Sequence, residues 1–417
     1  MKILYLCPDL GIPVLGRKGA AVHVREMAAA FGRAGHSVVL AAQMLNKSPW
    51  ETPAAMATPP LQVRPNPSAA AAVAALKEFN ELLGVENSLP GELRRILYNQ
   101  ELRNELRRRF ENDPPNFIYE RASLYATGGV ALARELGVPC FVELNAPLAV
   151  EQEVYRATGF GELAAQAERW TISQADGVVV VSALLRDHAL ACGAKPERVH
   201  VMPNGINLAE FHPAPRDQAV RARWKLDGGP VLGFVGGLRP WHGVEALPVL
   251  LERLAVKHPG VQLVIAGDGP LRSELERGLE ERGVRAKAVI TGLLPHEEVA
   301  PLIREFDLAL APYSAPDHPF YFSPLKLFEY MGCGVAVVVP RLGQISEVVE
   351  DGQTGLLYPA GDAAALAESC ERLLGDPALR TELGRNAARR VRERFTWDAN
   401  AERVVSLARS LVAARTS

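Results

Sequence analysis

The chain has 417 residues, 48% hydrophobic and 23% charged, a balance that excludes a disordered or fibrous protein and, at roughly 150 residues per domain, suggests two or three domains. Its 46 basic and 48 acidic residues leave a net charge of −2, so no global field favours nucleic acid or an anionic membrane. No apolar run approaches the roughly 18 residues of a spanning helix, and the five cysteines at 7, 140, 192, 333 and 370 lack the CxxC spacing of a zinc site and fit no disulfide framework, which points to a reducing, cytoplasmic setting.

In chain order, Ile3-Leu4-Tyr5-Leu6 reads as a central buried strand rather than a signal peptide, because its apolar stretch is short and an acidic loop follows. A glycine-punctuated loop, Gly11 to Gly19, leads into a helix over Ala21–Phe31. There Val24, Met27, Ala28 and Phe31 recur at i, i+3, i+4 and i+7. Gly32 and Gly35 end that helix, and Ser37–Ala41 is the next strand, completing one βαβ unit of a doubly wound sheet. Residues 46–68 are rich in Pro, Ala and Ser and form an excursion from the sheet; residues 69–111 read as helix. Its basic part, with Arg94, Arg95, Arg103, Arg107, Arg108 and Arg109, could meet a membrane surface. Interleaved Glu92, Glu101, Glu105 and Glu111 favour a solvated face over a seam of Leu102, Leu106 and Phe110. Phe141-Val142 is a strand whose carboxyl end carries Glu143 and Asn145.

The strand–glycine–helix grammar restarts at Val231–Val235, with Gly236-Gly237, a helix over Val244–Lys257 and a strand over Val261–Ala266. Residues 211–230 read as a linker, and Pro248 predicts a kinked or delayed helix. Helices over Asp362–Leu374, Pro377–Arg394 and about Asp398–Ala414 end the chain. The two restarts predict an α/β protein of two Rossmann-like, doubly wound parallel-sheet domains, residues 1–207 and 208–397, the last helix (398–417) packing back on the first domain.

Open parallel sheets bind ligands at the carboxyl ends of their strands. No G-x-G-x-x-G follows the first strand and no acid stands at Ala41-Ala42-Gln43, so nicotinamide-dependent hydride transfer is disfavoured. The most informative stretch is Ser323-Pro324-Leu325-Lys326-Leu327-Phe328-Glu329-Tyr330. Ser-Pro predicts a helix start whose amides, with Lys326, suit an anion, while Glu329 one turn on suits vicinal hydroxyls. That pair of functions fits a nucleoside diphosphate. The alternative is a helix start bearing a surface Lys–Glu pair.

Asn204-Gly205-Ile206-Asn207, Gly267-Asp268-Gly269-Pro270, Thr291-Gly292-Leu293-Leu294-Pro295, the Ser-Pro-x-Lys-x-x-Glu-Tyr run and Asp351-Gly352-Gln353-Thr354-Gly355 stand in the order seen in retaining glycosyltransferases of family 4, which the chain resembles over nearly its whole length. Gly19, His23 and Gly35-His36 resemble that family's acceptor half. The resemblance implies a GT-B fold, two domains facing across a cleft. It further implies an N-terminal acceptor domain and a C-terminal donor domain, a UDP- or GDP-sugar donor, a glycan, lipid or natural-product acceptor, transfer with retention, and no required metal or other cofactor.

Mapped residue by residue, Glu329 resembles the second acid of an E-x7-E motif whose first acid falls here at Tyr321, with Asp317 or His318 as substitutes. The family's G-R-L-x-x-x-K-G reads Gly236 to Gly243, so Arg239, His242 and Lys326 are candidates to share the diphosphate, His242 as a cation standing for lysine. The catalytic candidates are Arg239, His242, Lys326, Glu143 and Asn145. The donor-binding candidates are Gly19, Gly237, Gly269, Leu294, Tyr321, Phe322, Ser323, Pro324, Leu325 and Glu329; no metal ligand is among them. Glu143 and Asn145 otherwise serve as loop caps or pair with Arg121 or Arg156, His23 otherwise packs, and His36, His188 and His258 are structural. In the front-face route proposed for such enzymes no dedicated general base is needed; Glu143 as a nucleophile is the other route. A sugar-nucleotide 2-epimerase and a non-catalytic nucleotide-sugar binding protein are the competing functions.

Overall fold

The computed structural model describes residues 1–46, 53–155, 158–226, 229–314 and 319–416. It divides into two compact units, Met1–Pro203 with Trp397–Ser417, and Asn204–Thr396. In the first, strands β1 (Lys2–Cys7), β2 (Ser37–Ala42), β3 (Leu61–Gln62), β4 (Phe117–Arg121), β5 (Cys140–Leu144), β6 (Gly177–Val180) and β7 (Val199–Val201) form one sheet in the order β3-β2-β1-β4-β5-β6-β7. Every pairing in it is parallel. The second unit builds a parallel sheet from β8 (Val231–Val235), β9 (Gln262–Ala266), β10 (Ala288–Gly292), β11 (Leu308–Leu310), β12 (Ala336–Arg341) and β13 (Leu356–Pro359), in the order β10-β9-β8-β11-β12-β13.

Both sheets are doubly wound. The strand order reverses between β1 and β4 in the first unit and between β8 and β11 in the second, and such switch points are where loops part and leave room for a ligand. Strands here are apolar without alternation because both faces are covered. In the second unit Val231, Val264 and Val337 enter one buried cluster, while their neighbours Leu232, Leu263 and Val338 enter the other. The first helix, Gly19–Arg33, buries Val24, Met27, Ala28 and Phe31 as its periodicity predicts. The last helix, Trp397–Thr416, belongs to the first unit, where Trp397 meets His23 edge-on, ring centroids 4.7 Å apart, and Asp398 pairs with Arg33. Among the described residues no helix is long and apolar enough to cross a membrane.

Three sequence expectations need correction. Residues 69–111 are two helices, Pro67–Leu83 and Leu89–Phe110, because Gly84 closes the first in the left-handed region at φ 66°. The linker holds a short helix, Gln218–Trp224, capped by Asp217. At Pro248 the expected delay is what occurs, with no kink: a single 3-10 turn, Val244–Ala246, precedes Leu247–Lys257, and the proline falls in the first turn, where its missing N–H costs nothing.

The third error concerns Glu92, which is buried rather than solvated, at 1% exposure. Its carboxylate accepts from Tyr125 Oη at 2.5 Å and from the Gly159 and Phe160 amides at 2.9 and 3.0 Å. Those bonds fix the loop after β4, where Tyr125 sits at φ 65°, a conformation a bulky residue adopts only when its surroundings impose it. Removing a buried carboxylate that satisfies two amides leaves them unpaired. Glu92→Ala should therefore lose about 3 kcal/mol of stability in urea unfolding, whereas Arg94→Ala, exposed on the same helix, should stay within about 0.5 kcal/mol.

Candidate functional site

In the second unit, four loops leave the carboxyl ends of β8, β9, β11 and β10, and the first two interlock through glycine backbones. Leu238 N donates to Asp268 O at 3.0 Å, and a Cβ at Gly269 would stand 2.4 Å from Leu238 O, so only glycine permits that approach. Leu294, after β10, packs on the apolar cluster of the same unit. The helix Leu325–Gly332 ends its first turn beside this assembly. Tyr330 Oη, fully buried, accepts from Val235 N at 2.7 Å and pins the helix to the end of β8.

Pro324, not Ser323, occupies the position before the helix, and no side chain caps it. Ser323 is committed elsewhere: its hydroxyl accepts from Asn204 N at 2.9 Å and its carbonyl from Asn204 Nδ2 at 2.6 Å. The first-turn amides at Leu325 and Lys326 are thereby left without a side-chain cap, which suits an anion.

Lys326 is the centre of this end of the unit. It is 8% exposed, and its Nζ has no hydrogen-bond partner among the described residues. The ammonium lies 4.2 Å from the centroid of the Phe234 ring and 5.2 Å from that of Tyr313, and a Cβ at Gly236 would come within 2.7 Å of it. Two aromatic faces soften the burial of a charge without replacing a counter-ion. Burial pushes the Lys326 ammonium down to about 7, with Glu329 opposing. A surface Lys–Glu pair is not what stands here.

His242 ends the turn Pro240–His242, which Gly243 closes in the left-handed region. Its Nδ1 lies 2.5 Å from Gly237 O; a carbonyl only accepts, so Nδ1 carries the proton and Nε2 keeps its lone pair. Burial first, then the Lys326 ammonium, push the imidazole down to about 3. In the unliganded protein the imidazole is therefore neutral, because two positive charges do not share so dry a corner. Arg239 is exposed, its guanidinium 5.9 Å from the Trp241 ring. Tyr321 is buried against Phe322, ring centroids 4.5 Å apart, and Phe322 meets Phe320, which meets Tyr313. Asp317 and His318 lie outside the described residues.

In the first unit, the carboxyl ends of β4 and β5 and the start of the Gly19–Arg33 helix converge on Glu143. Its carboxylate, 1% exposed, accepts from Tyr119 Oη at 2.7 Å and Arg121 Nη1 at 3.0 Å, and contacts His23 Nε2 at 2.6 Å and the Asn145 amide. Burial alone would push this carboxyl up; His23 and Arg121, with the Asn145 amide, overcome it and hold it down to about 2. The sequence named Glu143, Asn145 and His23 but not Tyr119, which no motif marks because it reads as strand interior. Arg156 lies outside the described residues. Gly19 begins its helix, which no side chain caps.

The sequence matches the family models "Glycosyl transferase 4-like domain" over residues 18–205 and "Glycosyl transferases group 1" over residues 229–376. It is 33% identical to the alpha-maltose-1-phosphate synthase of Mycolicibacterium smegmatis over 60% of this chain and 67% of that one. It is 32% identical to a GDP-mannose-dependent alpha-mannosyltransferase of the same organism, covering 68% and 70%. Among solved structures, Anabaena Alr3699/HepE in complex with UDP aligns over 98% of this chain and 100% of its own at a TM-score of 0.70, with 19% identity, a likeness of fold.

Replacing Lys326 by methionine removes a buried charge and keeps its volume. Because the folded group titrates lower than the unfolded one, the charge costs stability fully below about pH 7, and the cost disappears towards the ordinary lysine value near 10.5. Lys326→Met should therefore raise the melting temperature of the unliganded protein at pH 6 and have little effect at pH 10. An unchanged or lower melting temperature at pH 6 contradicts this.

Proposed function

The chain belongs to the group 1 glycosyltransferase family, and from that premise we propose that its C-terminal unit holds a nucleoside diphosphate sugar with the diphosphate on Lys326 and the amides opening the Leu325–Gly332 helix. The observation that carries this reading is the buried Lys326 ammonium, which has no hydrogen-bond partner among the described residues. A charge left in that state is costly unless an anion arrives to pair with it, and a helix N-terminus beside it adds dipole of the same sign.

In this account Glu329 receives the ribose hydroxyls, and Gly236, Gly237 and Gly269 keep the backbone low enough for the phosphates to approach. Arg239 reaches in from solvent to the outer phosphate. His242, held by Gly237 O, presents Nε2 as an acceptor for a sugar hydroxyl rather than as a charge. Tyr321 and Phe322 line the sugar where relatives place an acid. The C1–O bond to the diphosphate breaks, the leaving oxygen takes the proton of the acceptor hydroxyl, and the new C1–O bond forms on the same face, with retention. Lys326 and the helix amides stabilise the charge that develops on the leaving group. The donor base is uracil or guanine, and the acceptor is a glycan, lipid or natural product met by the N-terminal unit. Glu143, fully engaged by four donors, orients His23 and Asn145 and is not the nucleophile.

The functional test is a panel of UDP- and GDP-sugars with the purified protein. Slow release of nucleoside diphosphate into water is the expected result; interconversion of 2-epimers would make it an epimerase, and binding without either would make it a binding protein. The linkage to pH is also defined. The diphosphate of a sugar nucleotide does not titrate near neutrality, so donor affinity should be flat below about pH 7, where Lys326 is charged, and fall above it by up to tenfold per pH unit. Lys326→Arg should remove that fall, whatever its effect on affinity at low pH; identical profiles for parent and variant, followed by calorimetry, would refute the assignment.

A further inference from the structure

The cysteine spacing argues against a zinc finger, but three dissimilar donors meet on the helices of the first unit. His188 and Cys192 stand four residues apart at the end of the helix Ala183–Ala191, and Glu168 projects from the helix Gly161–Gln174. His188 Nε2 lies 3.6 Å from Cys192 Sγ and 3.5 Å from Glu168 Oε2, and the ligand atoms of all three fall within 4.8 Å of one another. Zinc bonds of about 2.0 Å to nitrogen or oxygen and about 2.3 Å to sulfur imply tetrahedral edges of roughly 3.5 Å for N···S and roughly 3.3 Å for N···O. The His188–Cys192 and His188–Glu168 separations are those edges to within a few tenths of an ångström.

We propose that Glu168, His188 and Cys192 bind a divalent ion of the zinc class, with three protein ligands and a fourth position open to solvent. A thiolate beside an imidazole selects a borderline-soft ion over magnesium or calcium. The three side chains are partly buried, so the ion has a path in. Glu168 already has the hydrogen-bonded surroundings that orient a metal-bound carboxylate: Leu148 N donates to its Oε1 at 2.9 Å and Ala149 N to its Oε2 at 3.4 Å. Those two amides open the helix Leu148–Tyr155, which follows Asn145 by three residues. A metal there fixes the chain just beyond Glu143 and Asn145, and it takes no part in the transfer itself.

The other four cysteines, Cys7, Cys140, Cys333 and Cys370, are buried, so a thiolate–metal signal reports Cys192. The full-length protein, stripped with chelator, is titrated with cobalt(II) and then with zinc(II) against a chromophoric chelator. Expected are one cobalt per chain, a near-ultraviolet thiolate charge-transfer band with the visible bands of four-coordination, and displacement by one equivalent of zinc. Cys192→Ser should abolish the near-ultraviolet band, and His188→Ala and Glu168→Gln should each weaken zinc binding about tenfold or more, with circular dichroism unchanged. Absence of the band, its persistence in Cys192→Ser, or zinc binding as tight in both of the other variants would overturn the proposal; so would loss of the band only in variants that have unfolded, with native-like Glu168→Gln binding zinc at parental strength.

Discussion

A lysine ammonium buried between two aromatic rings, with no hydrogen bond to any described residue, is the constraint from which the second unit's architecture follows. A fold does not keep such a group for stability, since a methionine would fill the space at less cost. Its neighbours are arranged around it. Gly236 leaves room for its tip, Tyr330 ties its helix to the end of β8, and His242, whose Nδ1 donates to the Gly237 carbonyl, is held neutral beside it by burial and by the ammonium itself. The two glycine loops after β8 and β9 press backbone on backbone, Leu238 N donating to Asp268 O and Leu271 N to Leu238 O. On the proposed reading, each of these features favours an anion approaching Lys326 or removes a competitor for its charge.

The first unit shows the opposite arrangement, a buried anion that is fully satisfied. Glu143 meets a phenol, a guanidinium, an imidazole and an amide, and that set holds its carboxyl down to about 2. A carboxylate so engaged is a poor nucleophile and a good scaffold. It fixes His23 and Asn145 at the carboxyl ends of β4 and β5, where an open parallel sheet presents its ligands.

Much of this was legible in the sequence. The apolar runs with glycine loops behind them marked β1, β2, β8 and β9, and the Ser323–Tyr330 stretch marked the helix that carries Lys326. What was not legible depends on contacts between residues far apart in the chain. Nothing near Ser323 announces that Asn204, 119 positions away, takes its hydroxyl and leaves Pro324 at the head of the helix. The charge pattern of the Leu89–Phe110 helix could not reveal that Glu92 turns inward to hold the 159–160 loop. His242 reads as a cation because it falls at the lysine of the motif the sequence resembles; its neutrality comes first from burial and then from Lys326, which arrives from 84 residues downstream. Periodicity reports which face of an element is buried, and it is silent about the partner that the buried polar group will find.

The central claim is that Lys326 is a charge kept waiting for a diphosphate, and its own titration tests this most directly. Carbon-13 NMR of the lysine ε-carbons, with Lys326→Arg to assign the signal, should show a group titrating near 7 in the unliganded protein and at least one unit higher with UDP or GDP bound. A resonance that titrates at the ordinary lysine value in the free protein, and does not move when either nucleotide is added, would contradict the account.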